Sequence, residues 1–458
     1  MTIVSDRPID HSRPKKGPAS VQDRRAAALD RLNGGIPRTV KAGPRKGSVR
    51  RPKPSRRVVT IAPTPTESLG PTPGVFYGIT VIVAFFVMLG LVMVLSATSA
   101  NNVGGDVSPY AIFNRQLLWA ALGLVAMFIV VKVPYHRWRL LVIPFVILAA
   151  GAMMLPFAPG IGAEINDARS WVRIGSFGFQ PSEFLKLAAI GFLADYFARH
   201  QNEVHMPRHG VVPLGLVGAI CCGVSFVQGD LGSAIVLGAI IIAVGVIAGV
   251  PMVHVAGLAG SGIVLVGLAI LSDPRRFNRI LAFRDIEGNK DHLAWQSYQG
   301  LVSIANGGVT GSGIGGSNSK MGYLPLGHSD FIFAVIADEL GLVGSLAVVG
   351  GFMCLVFLGI QTALAAPDRF GLLLAGGISA WFGVQAIVNM GGVVNLMPVT
   401  GLTLPFFSAG GTSLFVSMVS AGLLMNVSRR AVTTSRAPRT AAIPRVSPPR
   451  RSRPVLVR

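Results

Sequence analysis

Side chains able to do chemistry are sparse in this sequence and gather in a few short strings. Arg169-Ser170-Trp171-Val172-Arg173 is followed by Gln180-Pro181-Ser182-Glu183, with Lys186 three residues further on. Gln228-Gly229-Asp230-Leu231-Gly232 comes next, and the stretch ending at Phe331 holds Lys320, His328 and Asp330. Pro398-Val399-Thr400-Gly401 and the run from Pro405 to Gly411 close the series. By residue type, Arg169, Arg173, Lys186 and Lys320 can hold an anion such as a phosphate, while Glu183, Asp230 and Asp330 can take a proton or bind a cation. Each also has a structural reading. Arginines at span ends snorkel to headgroups. Glu183 and Lys186 share a helix face and can form an ion pair. Asp230 can cap a helix that begins at Leu231. His328 fits a packing or orienting role better than a metal ligand, and no Cys/His spacing resembles a zinc site.

The chain that must position these residues is apolar. Of its 458 residues, 51% are hydrophobic and 13% charged, with a mean hydropathy of +0.58. Soluble domains carry roughly 25% charge, so an ordinary soluble enzyme, a disordered chain and a coiled coil are excluded. Three Cys exclude a disulfide framework. The net charge of +21 sits at the ends: residues 1–74 hold 16 Lys/Arg against 5 Asp/Glu, and residues 428–458 hold 9 Arg and no acid. Both Pro-rich tails lack apolar periodicity and read as disordered. Beside membrane spans they fit anionic lipid, at about 1 kcal/mol per basic residue near the leaflet. No nucleic-acid motif supports the other reading, so nucleic acid is not expected as a partner.

Ten apolar runs lie between the tails. They are Val75–Ala97, Leu117–Val131, Leu140–Phe157, Pro181–Phe197, Val211–Val227, Leu231–Val250, Met252–Leu271, Ile332–Leu364, Phe370–Met390 and Leu404–Val427. The longer ones match the roughly 20 residues a bilayer-crossing helix needs, and the first begins too far from Met1 for a cleavable signal peptide. The expectation is an all-α polytopic membrane protein of about ten transmembrane helices, with its membrane domain over 75–427. An even number of spans and two basic tails place both termini in the cytoplasm. That topology leaves 272–330 as one large extracytoplasmic loop and puts all the polar strings on the outer face. Within that loop, residues 273–285 place Phe277, Ile280 and Leu281 at helical spacing beside Arg275, Arg276 and Arg279, the pattern of an interfacial amphipathic helix. Gly311 to Gly316 matches G-x-G-x-x-G without a βαβ unit, so a flexible loop is expected there, not a dinucleotide site. Asp338 and Glu339 fall about 12 Å beyond Asp330 along a helix, a depth at which charges face a bundle interior or water.

At these strings the sequence resembles the SEDS family of peptidoglycan glycosyltransferases, the FtsW/RodA proteins, over roughly residues 75–427. The matching segments are RSWVRIGSFGFQPSEFLKLA, QGDLGSA, GSGIGGSNSKMGYLPLGHSDFIFAVIADELGLVG and NMGGVVNLMPVTGLTLPFFSAGGTS. The resemblance implies ten spans, lipid II as substrate, a class B penicillin-binding transpeptidase and other divisome proteins as partners, and a place at the division septum. It leans to the FtsW branch through SAGGTS and the tailed ends. It also implies that Asp330 is the catalytic carboxylate, as base or as ligand for a divalent cation, Mg2+ or Mn2+, with no organic cofactor. Arg169, Arg173, Lys186 and Lys320 are then candidates for stabilising the pyrophosphate, with Glu183 orienting Lys186 and with Asp230 and His328 at the substrate site. The sequence departs from the family where Gly229 replaces a usual Pro, and at Val302 and Leu326. A lipid II flippase is the alternative, for which Asp338, Glu339, Gln385 and Asn389 would line a polar path, and a noncatalytic scaffold acting through the tails is a third.

Overall fold

The computed structural model describes residues 74–99, 110–165, 168–175, 177–317, 324 and 327–430. Lys320 and nearly all of the two basic tails, with the lipid contacts expected of them, lie outside these residues. Every apolar run is carried by a helix. In chain order these are α1 (Gly74–Ser99), α2 (Ala111–Lys132), α3 (Tyr135–Leu140) and α4 (Val142–Ala152), followed by strands β1 (Gly162–Ile165), β2 (Ala168–Ile174) and β3 (Phe177–Phe179). Then come α5 (Pro181–Arg199), α6 (Val211–Val227), α7 (Leu231–Ala248), α8 (Met252–Leu271), α9 (Pro274–Arg284) and α10 (Trp295–Gly307). Last are α11 (Ile332–Leu364), α12 (Arg369–Val393) and α13 (Gly411–Arg429).

Among the described residues, seven helices are long and apolar enough to cross a bilayer by length and composition: α1, α2, α7, α8, α11, α12 and α13. Two expected spans are shorter apolar helices, Val142–Phe157 and Val211–Val227. The 19-residue α5 carries Glu183, Lys186, Asp195 and Arg199, so its polar side chains need protein around them. The burial pattern inverts that of a soluble domain. Leu124, Phe128, Leu148, Val253 and Leu265 face outward, whereas Ser182, Lys186, Gln385, Asn389 and Ser420 are buried. The chain is a multi-pass membrane protein, with α12 and α13 at the centre and α8 at the rim: 83% of the α13 span is buried, against 11% of α8.

One element departs from the all-helical expectation. β1, β2 and β3 form a small antiparallel sheet in that order. Burial alternates along β2, with Ser170 and Val172 buried and Arg169, Trp171 and Arg173 on the other face, the two-residue period of a strand, and Gly175 takes φ +60 at the turn into β3, a conformation open to glycine at little cost. The amphipathic helix expected over 273–285 forms as α9, with Asp273 capping it by accepting from the Arg275 N–H.

The Gly311–Gly316 string is not a free loop. α11 is broken at Gly341, which has φ +65 and ψ −161. The break leaves backbone groups that must be satisfied inside a membrane protein. The Ser312 and Gly313 N–H groups donate to the carbonyls of Asp338 and Glu339 at 2.9 and 3.0 Å. In return, the N–H groups of Leu342 and Val343 donate to the carbonyls of Gly308 and Val309. A Cβ on Gly311 would lie 2.2 Å from the Glu339 carbonyl oxygen. The glycines thus permit backbone-to-backbone contact, and the expected flexibility gives way to a docked strap.

Candidate functional site

Asp330 stands in the turn before α11, at the end of the bundle that also carries the sheet. Its side chain is buried, and Oδ1 has no hydrogen-bond partner among the described residues. Burial pushes its carboxyl up to about 6 from an ordinary 3.8, partly offset by a backbone hydrogen bond and by the charge of Arg279 on α9. The turn is held from behind. The Asn389 side-chain amide donates to the Asp330 carbonyl at 2.9 Å, and Ala409 N–H donates to the His328 carbonyl at 2.8 Å. Asp330 is therefore a fixed carboxylate whose oxygen is left over for a proton, a hydroxyl or a cation. Among the described residues no trio of close His, Cys, Asp and Glu ligand atoms includes it. A Mg2+ or Mn2+ ion fits there with one protein carboxylate and its remaining ligands from phosphate oxygens and water, a common Mg2+ arrangement.

Beside this turn lies a cavity of about 170 Å³ lined by Arg115, Arg173, Trp171 and His328 among others. Arg169, Trp171 and Arg173 alternate along β2 and so share one face of the sheet. Arg173 lines the cavity, whereas Arg169 is exposed and its Nε donates to Glu164 Oε2 on β1 at 3.0 Å. Arg115 comes from the start of α2, just past its first turn; sequence reasoning misses it, because there it reads as a lone charge at the edge of an apolar run. His328 Nδ1 is buried without a hydrogen-bond partner among the described residues, and burial and the Arg115 charge hold its pKa below the usual value. A neutral imidazole beside two guanidiniums leaves a net positive pocket.

Glu183 and Lys186 do not reach that cavity. Pro181 opens α5 and Gln180 is its N-cap, as the QPSE string predicts. Lys186 is fully buried and donates to Glu183 Oε1 and Gln385 Oε1, both at 2.8 Å. It also lies 5.1 Å from the centre of the Trp381 ring. In this conformation it is closed to a pyrophosphate, so its contribution is to position α12. Gln385 and Asn389 are one turn apart on α12, so the same helix face grips Lys186 and the Asp330 turn.

Asp230 takes its structural reading. One oxygen accepts from the Ser233 N–H at 2.9 Å, and the other from Ser233 Oγ and Gln180 Nε2 at 2.7 and 3.0 Å. It caps α7 and ties that helix to the start of α5. Gly229 before it has φ +83, which the ring of a proline forbids, so this loop bends differently from the QPDLG pattern. The PFFSAGG string forms a tight turn in which Phe406 takes φ +69 and Ser408 Oγ accepts from the Leu404 N–H at 2.7 Å. Its Ser408 carbonyl accepts from Gln116 Nε2 at 3.0 Å, next to Arg115.

An apolar groove of about 300 Å³ runs along the bundle surface, lined by Ile129, Trp138, Phe145, Phe184, Phe415 and Val419 among others. Its lining belongs to α2, α3, α4, α5 and α13. Phe184 lies next to Glu183 at the sheet end of α5, so the groove leads from the lipid-facing flank toward the same end of the bundle as the basic cavity.

Comparison with known proteins agrees with this arrangement. The model of the FtsW/RodA/SpoVE family, described as cell cycle proteins, matches residues 77–433. The chain is 34% identical over 339 residues to the probable peptidoglycan glycosyltransferase FtsW of Trichlorobacter lovleyi, covering 74% of this chain and 89% of that protein. It is 37% identical over 353 residues to stage V sporulation protein E of Bacillus subtilis, covering 76% and 95%. Among solved structures, a chain from a study of polymerization and crosslinking by a peptidoglycan synthase complex superimposes with a TM-score of 0.65 at 28% identity, covering 78% of this chain and 98% of that one.

Proposed function

This chain belongs to the FtsW/RodA/SpoVE family, and from that premise we propose that it polymerises lipid II into glycan strands on the outer face of the cytoplasmic membrane. It is a peptidoglycan glycosyltransferase. The observation that carries the reading is the buried Asp330 carboxylate with a free Oδ1, in the same turn as His328, which lines a basic cavity. In the transfer, the 4-hydroxyl oxygen of the acceptor sugar attacks C1 of the donor sugar. The C1–oxygen bond to the polyprenyl pyrophosphate breaks as the new glycosidic bond forms. Asp330 takes the hydroxyl proton, and Arg115 and Arg173 stabilise the charge that builds on the departing pyrophosphate. A Mg2+ or Mn2+ held by Asp330 would add positive charge at those phosphate oxygens. The polyprenyl chain lies in the apolar groove, which presents no polar group to it.

The polar residues deep in the bundle do not favour transport. Gln385 is spent on Lys186 and Thr403, and the N–H donors of Asn389 on two backbone carbonyls. Glu339 accepts from Ser96 Oγ at 2.6 Å, and Asp338 from Ser317 Oγ. The relative from the peptidoglycan synthase complex supports a transpeptidase as partner. The role in division and the septal location rest on the FtsW names of the relatives, and the cytoplasmic placement of both termini on an even number of spans between two basic tails. The test is glycan product from purified full-length protein and lipid II, with and without a class B transpeptidase. Lipid II crossing a vesicle bilayer with no polymer under either condition would overturn the reading in favour of a flippase.

A further inference from the structure

At the opposite end of α5 from Glu183 and Lys186, the turn into α6 gathers two imidazoles and a carboxylate. The ligand atoms of His200, Glu203 and His209 all lie within 4.8 Å of one another. We propose that these three residues bind a divalent transition-metal ion of the Zn2+ class, at a site separate from Asp330.

The turn is built rather than loose. The Glu203 N–H donates to the His200 carbonyl, Met206 to Glu203 and His209 to Met206, at 3.0, 2.9 and 3.0 Å. These steps of three residues return the side chains of 200, 203 and 209 to one side, as successive i to i+3 bonds do. Val204 between them in the chain is buried, and a Cβ on Gly210 would sit 2.3 Å from the Val204 carbonyl oxygen. Tyr196 contacts both imidazoles, whose rings stack 5.1 Å apart. Its carbonyl lies 3.0 Å from His200 Nδ1, and a carbonyl only accepts, so Nδ1 carries the proton and Nε2 keeps its lone pair for a metal. Its hydroxyl lies 3.3 Å from His209 Nδ1. His209 Nε2 lies 3.4 Å from Glu203 Oε2, so these two ligand atoms already face each other. A ring N–H held by a carbonyl is the usual support of a metal-binding histidine.

The electrostatics agree. His200 is the C-cap of α5, where the helix end carries partial negative charge that favours a cation. Arg199, the last helical residue, is paired with Asp195 at 2.9 Å. Two histidines, one carboxylate and an open position form a known zinc donor set, with bonds of about 2.0–2.2 Å. Glu203 is exposed, so its side chain is free to rotate and close on the ion. The ion would staple the end of α5 to the start of α6. The spacing H-x2-E-x5-H escapes a search for Cys/His pairs because a carboxylate supplies the third ligand.

The test uses tag-free full-length protein in detergent, stripped with EDTA and titrated with Zn2+ or Mg2+ in a calorimeter. One Zn2+ per chain should bind and raise the melting temperature, and Mg2+ should do neither. His200→Gln and His209→Gln should each weaken Zn2+ binding roughly tenfold or more, while His205→Gln, at an exposed neighbour outside the trio, leaves it unchanged. Should the histidine variants fail to fold, Glu203→Gln removes a ligand from an exposed position. Co2+ bound to the wild type should also give the visible absorption of a tetrahedral nitrogen–oxygen site. Absence of Zn2+ binding, or binding that His200→Gln, His209→Gln and Glu203→Gln leave unchanged, would overturn the site.

Discussion

The side-chain amide of Asn389 bridges two backbone carbonyls, those of Asp330 at 2.9 Å and Leu402 at 2.6 Å. It thereby joins the turn that carries the carboxylate to the loop that follows α12. One helical turn earlier, Gln385 accepts from Lys186 and donates to the Thr403 carbonyl at 2.8 Å. The Asp330 backbone is thus gripped by a buried polar ladder while its Oδ1 is left unbonded. A group held in this way is pre-organised for reaction at a cost in resting stability.

Asp330→Asn tests that division. The substitution keeps size and removes the base, so polymerisation should fall by on the order of 10²–10⁴. Lipid II binding should persist through Arg115 and Arg173. If Asp330 only began α11, Asn would serve nearly as well, and near wild-type glycan synthesis by the variant would remove the catalytic assignment.

The raised carboxyl of Asp330 gives two pH dependences of opposite sign. Activity requires the ionised form, so polymerisation should rise with pH through about 6, and that limb should be absent from the residual activity of Asp330→Asn. Stability runs the other way. Burial raises the folded pKa above the unfolded one, so the contribution is fully present below about 4 and is lost as pH rises through about 6. Melting curves of Asp330→Asn should therefore lie at or above wild type at pH 8, with the difference narrowing toward pH 5. A variant that melts well below wild type at pH 8 would contradict the buried, unpaired carboxylate.

Substituting the basic cavity should separate Arg173 from Arg169. Arg173 lines the cavity and Arg169 faces Glu164 in solvent. Arg173→Ala and Arg115→Ala should each lower kcat/KM for lipid II, at about 1.5–3 kcal/mol for a charge-assisted contact. Arg169→Ala should stay within about 1 kcal/mol of wild type, as exposed pairs do. Equal losses at Arg169 and Arg173 would show that the cavity is not where the phosphates sit.

Much of this is legible in the sequence because lipid imposes a simple code. Long apolar runs become helices, and the QPSE string starts α5 where Pro181 and Glu183 require it. The amphipathic α9 follows from the spacing of Phe277, Ile280 and Leu281. What escapes a reading of the sequence depends on pairings distant along the chain. Arg115 joins the site because α2 and the sheet line one cavity. Lys186 looks like a phosphate ligand until Gln385 and Trp381, about 200 residues on, enclose it. The strap at Gly311 is recognisable only once the break at Gly341 shows which carbonyls need donors.

That strap supports the last prediction. Gly341 has φ +65, and a Cβ there would lie 2.4 Å from Gly311 N and 2.5 Å from the Val309 carbonyl oxygen. Both are backbone atoms, held by the four hydrogen bonds that satisfy the broken helix, so neither can yield cheaply. Gly341→Ala must strain φ and also push the strap away, leaving buried N–H and C=O groups without partners. Strain of about 1–3 kcal/mol and a loss of about 1–3 kcal/mol per orphaned group place it among severely destabilising changes. Gly350, further along the same helix, has open space where a Cβ would stand, with nothing within 4 Å. Gly350→Ala should therefore be neutral or stabilising by up to about 1 kcal/mol, the helix preference of Ala over Gly. Thermal melts of the two purified variants in one detergent decide the matter. Equal melting temperatures would mean that α11 runs unbroken through Gly341 and that the glycine string is a loop after all.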